Sequence, residues 1–111
     1  RTDGSLLLRD RDDPLASALE ARGHPCISIF SSPNLPDSWF VDTDNVLGGQ
    51  LATQHLLTLG HRRIAYIGGS PHSSAVMQRY EGYRAALENA GLPHDTRWQT
   101  QVNYAGGDFA P

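Results

Sequence analysis

The sequence predicts an α/β fold in which parallel sheets carry helices on both faces. Within its 111 residues one succession occurs three times: an amphipathic stretch, a glycine, and a short apolar or β-branched run. Strands that alternate with helices are joined by right-handed crossovers, which make neighbouring strands parallel. The composition, with 39% hydrophobic and 19% charged residues, is that of an ordinary globular domain. Ligands of such sheets bind beyond the carboxyl ends of the strands.

The first succession begins at Asp13 and Pro14. Aspartate suits a helix N-cap and proline suits the first helical turn, so a helix is predicted from here to Gly23, which favours a left-handed C-terminal cap. Residues 26–30, which are apolar except for Ser28, then predict a buried strand. Residues 6–8, another apolar run, predict the strand that precedes this helix.

The second helix is predicted over about residues 46–59, and Gly60 stands where a helix-terminating glycine belongs. Short strands are predicted on either side of it, at residues 40–41 and 64–67. Its apolar face is predicted to consist of Leu47, Leu51, Ala52, His55, Leu56 and Leu59.

The third helix has the clearest periodicity, because its apolar residues fall at i, i+4, i+7, i+11 and i+14 before Gly91 and Pro93. Residues 98–102 predict the strand that follows. The residues of this apolar stripe are Val76, Tyr80, Tyr83, Leu87 and Ala90.

Charge and cysteine content exclude several classes of protein. The net charge is −3, whereas a surface that binds nucleic acid needs clustered lysine and arginine. We therefore expect any DNA contact to come from outside this chain, which we expect to be a segment of a longer protein.

Cys26 is the one cysteine, so an internal disulfide framework is excluded. No apolar run approaches the ~20 residues that span a bilayer.

No motif for catalysis or metal binding is present. Gly68 and Gly69 follow a predicted strand, but the G-x-G-x-x-G spacing and the P-loop lysine are absent, so a plain turn is favoured over a phosphate-binding loop. The five histidines show no metal-binding spacing, and no serine lies in a nucleophile elbow. We predict no catalytic residue, no metal site and no cofactor, and a protein that is not an enzyme.

Two charged residues stand out from this background. Asp44 lies between a short strand and the second helix, where a carboxylate is either a simple N-cap or caps the helix and also faces a ligand cleft. Arg79 lies early in the third helix, off its apolar stripe, where it is either a solvated side chain or a donor to a ligand. The residue pattern alone leaves both alternatives open.

Five motifs follow one another along the chain: Val41-Asp42-Thr43-Asp44-Asn45, Gly48-Gly49, Ala52-Thr53-Gln54-His55-Leu56, Leu59-Gly60-His61-Arg62-Arg63-Ile64-Ala65-Tyr66-Ile67-Gly68-Gly69, and Arg79-Tyr80-Glu81-Gly82-Tyr83. This succession closely resembles the regulatory core of LacI/GalR-family repressors. The resemblance covers nearly the whole chain, and its Gly-His-Arg-Arg-Ile-Ala segment is specific.

The resemblance implies two α/β lobes of the type I periplasmic-binding-protein kind, each only partly present. Residues 1–60 would belong to the amino-terminal lobe and residues 61–111 to the first part of the carboxy-terminal lobe. A small polar effector, a sugar or a nucleobase, would bind between the lobes. The whole protein would be a cytoplasmic homodimeric repressor with no membrane contact, and a helix-turn-helix domain absent from this chain would bind DNA.

Four residues carry over from the family as expected effector contacts. Arg79 matches the arginine of an Arg-x-x-Gly-aromatic motif that commonly hydrogen-bonds the effector, and Phe109 matches an aromatic residue that stacks on it. Asp44 matches an acid of the cleft. Ser73 falls where the family places variable polar contacts, whereas nearby Ala75 offers no hydrogen bond.

Two other functions share parts of this pattern. A periplasmic sugar-binding protein of an ABC transporter has the same two-lobe fold and an Arg-x-x-Gly motif, but the run from Gly60 to Ile64 favours the regulator. A nucleotide-binding Rossmann enzyme requires a glycine fingerprint after its first strand, and the residues after Leu8 supply none.

Overall fold

The computed structural model describes residues 2–9, 13–32, 38–93 and 99–101. Every helix and strand within these ranges overlaps the element predicted for its place in the chain. In order, they are β1 (Ser5–Leu7), α1 (Leu15–Ala21), β2 (Cys26–Ile29), β3 (Phe40–Val41), α2 (Asn45–Thr58), β4 (Tyr66–Gly68), α3 (Ser74–Asn89) and β5 (Gln99–Gln101).

The strands pair in parallel wherever pairing is described, which confirms the predicted fold class. One sheet has the order β1-β2-β3, with Leu6 beside Ile27 and Ser28 beside Phe40. A second sheet pairs β4 with β5. Since the carboxyl ends of parallel strands meet at one edge, the residues after β1 and after β2 come together.

The chain divides into two compact units. The first contains Arg1–Thr43 and His72–Ser74, and the second contains Asp44–Pro71 and Ala75–Pro111. The second unit therefore contains α2, β4 and most of α3. The predicted lobe boundary at Gly60 instead places α2 in one lobe and both β4 and α3 in the other. The two lobes belong to the whole protein, and their assignment stays a prediction.

The three helices end in the same way, as their glycines predict. Gly23, Gly60 and Gly91 have φ angles of 69°, 95° and 70°, which favour a residue without a Cβ. After α2, for example, Gly60 N donates to Leu57 O at 3.0 Å and His61 N donates to Leu56 O at 3.2 Å. This pair of bonds is a Schellman motif, which satisfies carbonyl groups that a helix end leaves open.

The start of α1 differs from the prediction by one residue. Pro14 occupies the N-cap position and has no side chain with which to cap the helix. Asp13, predicted as the N-cap, instead lies one residue earlier, and its Oδ1 accepts a hydrogen bond of 2.9 Å from Leu15 N. The aspartate still satisfies an amide of the first turn, so the type of interaction was predicted correctly and its register was not.

The prediction that the apolar face of α2 is buried is wrong. Leu47, Leu51 and Leu59 are 45%, 56% and 61% exposed, whereas the buried residues of α2 are Asn45 and Thr53. The hydroxyl of Thr53 is satisfied within the helix, because it donates to the Gly49 carbonyl oxygen at 2.8 Å. Contact with α3, rather than hydrophobicity, therefore decides which side of α2 is covered.

Two glycines bring the backbones of α2 and α3 into contact. A Cβ added to Gly49 would overlap the carbonyl oxygen of Arg79 and lie 2.9 Å from its carbonyl carbon. A Cβ on Gly82 would overlap the carbonyl oxygen of Val46 and lie 2.6 Å from Gln50 N. The first half of α2 is therefore held against the turn of α3 that carries Arg79.

Tyrosines build the core of the second unit, as the third stripe predicts. The ring centroids of Tyr66, Tyr80 and Tyr83 lie 5.3 to 5.9 Å apart, and Tyr83 and Leu87 are buried. The Tyr83 hydroxyl donates to the Ile64 carbonyl oxygen at 2.6 Å. The phenol is therefore satisfied inside an otherwise apolar cluster, as burial of a tyrosine requires.

Candidate functional site

The carboxyl ends of β1 and β2 form a polar cavity in the first unit. Its volume is about 180 Å³, and the residues that line it are Leu8, Arg9, Phe30, Ser31, Ser73 and Ser74. Leu8 and Arg9 follow β1, and Phe30 and Ser31 follow β2. The cavity therefore lies where the topology of a parallel sheet predicts a ligand site.

Phe30 supplies an exposed aromatic ring at this cavity. Its φ is 56°, a left-handed conformation that a bulky residue rarely adopts, and its amide donates to the Val41 carbonyl oxygen at 2.8 Å. Its side chain is 62% exposed, so the ring is available to stack on a flat apolar face of a ligand. The sequence prediction assigned Phe30 to the buried strand and missed it as a site residue, although its position at the strand's carboxyl end was a signal.

Arg9 brings a positive charge to the same cavity, and Asp13 orients it. Arg9 Nε and Nη2 donate to Asp13 Oδ2 at 2.9 and 2.5 Å. The hydrogen bonds from Arg9 are the main cause of a lowered pKa of the Asp13 carboxyl, and the bond from Leu15 N is the second cause. The aspartate is therefore ionised at neutral pH, and the two residues form an exposed ion pair. Sequence reasoning did not single out Arg9.

Two serines complete the cavity, and one of them was predicted. Ser73 lines it, and its role as a polar effector contact, which the resemblance implies, stays a prediction. Ser74 is buried at the first turn of α3, and its Oγ accepts a hydrogen bond of 3.1 Å from Ser32 N. That bond joins Ser74, the first residue of α3, to the residue that follows Ser31 in the loop after β2.

Asp44 caps α2 in the second unit. Its Oδ1 accepts a hydrogen bond of 3.1 Å from Leu47 N, and its backbone has the non-helical ψ of 85°. The side chain is exposed. The capping role that the sequence left open is therefore observed, and the cap leaves the second carboxylate oxygen of Asp44 able to accept a further hydrogen bond.

Arg79 is exposed on α3 and is held by a buried residue of α2. Its Nε donates to Asn45 Oδ1 at 3.2 Å, and Asn45 Nδ2 donates to Gln78 Oε1 at 3.2 Å. Asn45 is only 4% exposed. Sequence reasoning identified Arg79 and missed Asn45, because an asparagine beside a helix start is also an ordinary turn residue.

A larger cavity of about 630 Å³ lies at the opposite, amino ends of β1 and β2. It is lined mostly by apolar groups, including the exposed side chains of Leu6 and Trp39. Ser5 Oγ and His24 Nε2, 3.0 Å apart, are hydrogen-bonded to each other. Small polar ligands need several converging polar groups, so the smaller polar cavity is the better candidate despite its size.

The described ranges contain no group of three or more His, Cys, Asp or Glu residues arranged to hold a metal ion. None of the helices within those ranges is long and apolar enough to cross a bilayer. Gly68 is the last residue of β4 and Gly69 follows it, the turn lies at Pro71 and His72, and α3 begins only at Ser74. Phe109, the fourth expected effector contact, lies outside the described residues.

Residues 8–104 match the family model described as periplasmic binding proteins and sugar binding domain of LacI family. Among curated proteins, the HTH-type transcriptional regulator CelR of Thermobifida fusca is 44% identical over an alignment of 110 residues that covers 96% of this chain and 31% of that protein. The ribose operon repressor of Escherichia coli K12 is 38% identical over an alignment of 94 residues that covers 83% of this chain and 28% of that protein. The chain thus spans about a third of the length of these relatives.

Solved structures agree with these similarities. The structure described as a transcriptional regulator CelR–cellobiose complex superposes with a TM-score of 0.87 at 39% identity, over 94% of this chain and 33% of that chain. A LacI family transcriptional regulator from Mycobacterium smegmatis gives a TM-score of 0.80 at 40% identity, over 94% of this chain and 37% of that one. Both relatives are transcription regulators.

Proposed function

We propose that this chain, which belongs to the family of periplasmic binding proteins and LacI-type sugar binding domains, is part of the sugar-sensing core of a bacterial transcription regulator. The observation that carries the proposal is the match to a regulator solved with cellobiose, at a TM-score of 0.87. A sugar of the cellobiose type is the effector that we propose. The core binds this sugar and catalyses no reaction.

The regulator is favoured over a periplasmic sugar-binding protein of a transporter. Both belong to the same family description, but the relatives named above are regulators or repressors. The regulator acts in the cytoplasm as a homodimer, with a helix-turn-helix domain outside this chain on the DNA. A twofold-symmetric dimer suits a palindromic operator.

The proposed effector contacts are Arg79, Asp44, Ser73 and Phe109. Arg79 is supported by its exposure and by the hydrogen bond that orients its guanidinium. Ser73 is supported by its place in the polar cavity. Asp44 is supported by its exposed carboxylate, and Phe109 by the family motif. Hydroxyl groups of a sugar suit all the polar members of this set, and a sugar ring stacks on an aromatic side chain.

Titration of sugars into the full-length protein bound to DNA tests the proposed function. The DNA is a fragment that the protein itself selects from a random pool, and the ligands are cellobiose and, as the comparison sugar, ribose. We expect cellobiose to change the DNA affinity by about 5- to 150-fold, the usual range of coupling between two sites. If both sugars leave the DNA affinity unchanged, the proposed function is wrong.

Substitution of Asp44 separates its capping role from its proposed role in sugar binding. Asparagine caps a helix as well as aspartate does, so Asp44→Asn should preserve stability and lower the affinity for cellobiose about 10-fold by removing a charged acceptor. Asp44→Ala should also lower the free energy of unfolding by about 1 kcal/mol. Calorimetric titration and urea unfolding measure the two effects. Unchanged cellobiose affinity in Asp44→Asn would leave the residue with the capping role alone.

A further inference from the structure

We infer that Asn45 is a positioning residue for sugar binding: its carboxamide holds the guanidinium of Arg79 in the orientation from which Arg79 binds the effector. The inference rests on the proposed function, in which Arg79 contacts the sugar. It adds a residue that neither the apolar periodicity of α2 nor the expected effector contacts include.

The hydrogen bonds of Asn45 fix the orientation of its carboxamide. An arginine Nε is only a donor, so the asparagine atom that lies 3.2 Å from Arg79 Nε must be Oδ1. Nδ2 then faces Gln78 Oε1 at 3.2 Å, where it donates. Rotation of the amide by half a turn would place a donor against Arg79 and lose both bonds, so the asparagine has one favoured orientation.

The burial of Asn45 indicates that its polar side chain is needed for these hydrogen bonds. Asn45 is 4% exposed although it is the first residue of α2. Burial of a carboxamide is unfavourable unless its polar atoms are hydrogen-bonded, and an apolar residue of the same size would avoid that cost. One partner of this buried amide is an exposed cation, so a fixed interior group determines the position of a surface group.

The atom through which Arg79 is held also matters. The bond to Asn45 uses Nε and therefore one of the five N–H groups of the guanidinium, while Nη1 and Nη2 carry the other four. These terminal groups form the planar fork that recognises a pair of oxygens. Because immobilisation of a long side chain opposes binding, an arginine already held at Nε loses less freedom when the sugar binds.

The backbone beneath this bond is fixed at both ends. Gly49 lets α2 lie directly against the carbonyl group of Arg79, and the Asp44 side chain caps α2 one residue before Asn45. The distance between Asn45 and Arg79 is therefore set by contacts between helices. A residue on α2 thus controls the geometry of a residue on α3.

A double-mutant cycle in the full-length protein, with cellobiose as the ligand, tests this role. Asn45→Leu removes the hydrogen bonds of the carboxamide while keeping a side chain that branches at Cγ, and it should weaken cellobiose binding about 10-fold. In an Arg79→Ala background the same change should alter the affinity by less than about 2-fold, because Asn45 acts through Arg79. Gln54→Leu, a similar change at an exposed position of α2, is the matched control and should leave binding unchanged.

The protein without ligand gives a second readout that does not depend on the identity of the sugar. Hydrogen exchange at Arg79 Nε, followed by nitrogen-15 NMR, should be about 10-fold faster in Asn45→Leu than in the parent protein because a hydrogen bond is lost. Asn45→Asp keeps an acceptor oxygen and should retain slow exchange. A structural role unrelated to Arg79 would not move this signal.

The outcomes separate this inference from the proposed function. Equal weakening by Asn45→Leu with and without Arg79, or unchanged exchange at Arg79 Nε, would overturn the role of Asn45. Full cellobiose affinity in Arg79→Ala alone would overturn the proposed role of Arg79 in sugar binding, and with it the positioning of Arg79 for the sugar.

Discussion

Replacement of Gly49 by alanine should lower the free energy of unfolding by about 3 kcal/mol or more, a large part of the stability of an ordinary domain. The new Cβ would overlap the carbonyl oxygen of Arg79, which is backbone and cannot rotate away. The two helices must separate to admit the methyl group, and this loosens the tyrosine core beneath α3. Urea unfolding followed by circular dichroism measures the loss.

The neighbouring glycine provides the matched control for this prediction. A Cβ on Gly48 meets nothing within 4 Å, and alanine is favoured over glycine inside a helix by about 0.5 to 1 kcal/mol. We therefore expect Gly48→Ala to stabilise the protein slightly while Gly49→Ala destabilises it strongly. Equal unfolding midpoints for the two variants would contradict the packing of α2 on α3 described above.

Replacement of Arg79 by alanine should weaken cellobiose binding by about 10- to 150-fold, the effect of losing hydrogen bonds from a charged group. Stability should change little, because the side chain is exposed. Arg79→Lys should lose about 10-fold, since lysine keeps the charge but has neither the planar fork nor the Nε group that bonds to Asn45. Calorimetric titration of the full-length protein measures both changes.

Arg84, also on α3, is the control for loss of charge. Its guanidinium pairs with Glu81 and Glu88, each at 2.6 Å, on the exposed surface of the helix. Exposed ion pairs of this kind contribute little to stability, so Arg84→Ala should leave both stability and cellobiose affinity close to those of the parent protein. Comparable losses of affinity in Arg79→Ala and Arg84→Ala would indicate a general electrostatic effect instead of a contact with the sugar.

The candidate site was predictable where it depends on residue type and place in a motif. Arg79, Asp44 and Ser73 were named from the sequence, and the structure puts Ser73 in a polar cavity and Asp44 at a helix start. Asn45 and Phe30 were missed. Asn45 is identified only by its contact with α3, and Phe30 only by its backbone φ of 56°. A residue pattern records neither feature.

The sequence by itself determined the parallel α/β class, the order of the elements and the way in which the helices end. These features depend on interactions within a few residues, such as the Schellman bonds around Gly60, so local rules suffice. Only the tertiary structure decided which side of α2 is covered and how Arg79 is held. The periodicity of the leucines predicted the wrong side of α2 as buried. The covered side is decided by the contact between the backbones of Gly49 and Arg79, which are thirty positions apart in the sequence, so no pattern within α2 records it.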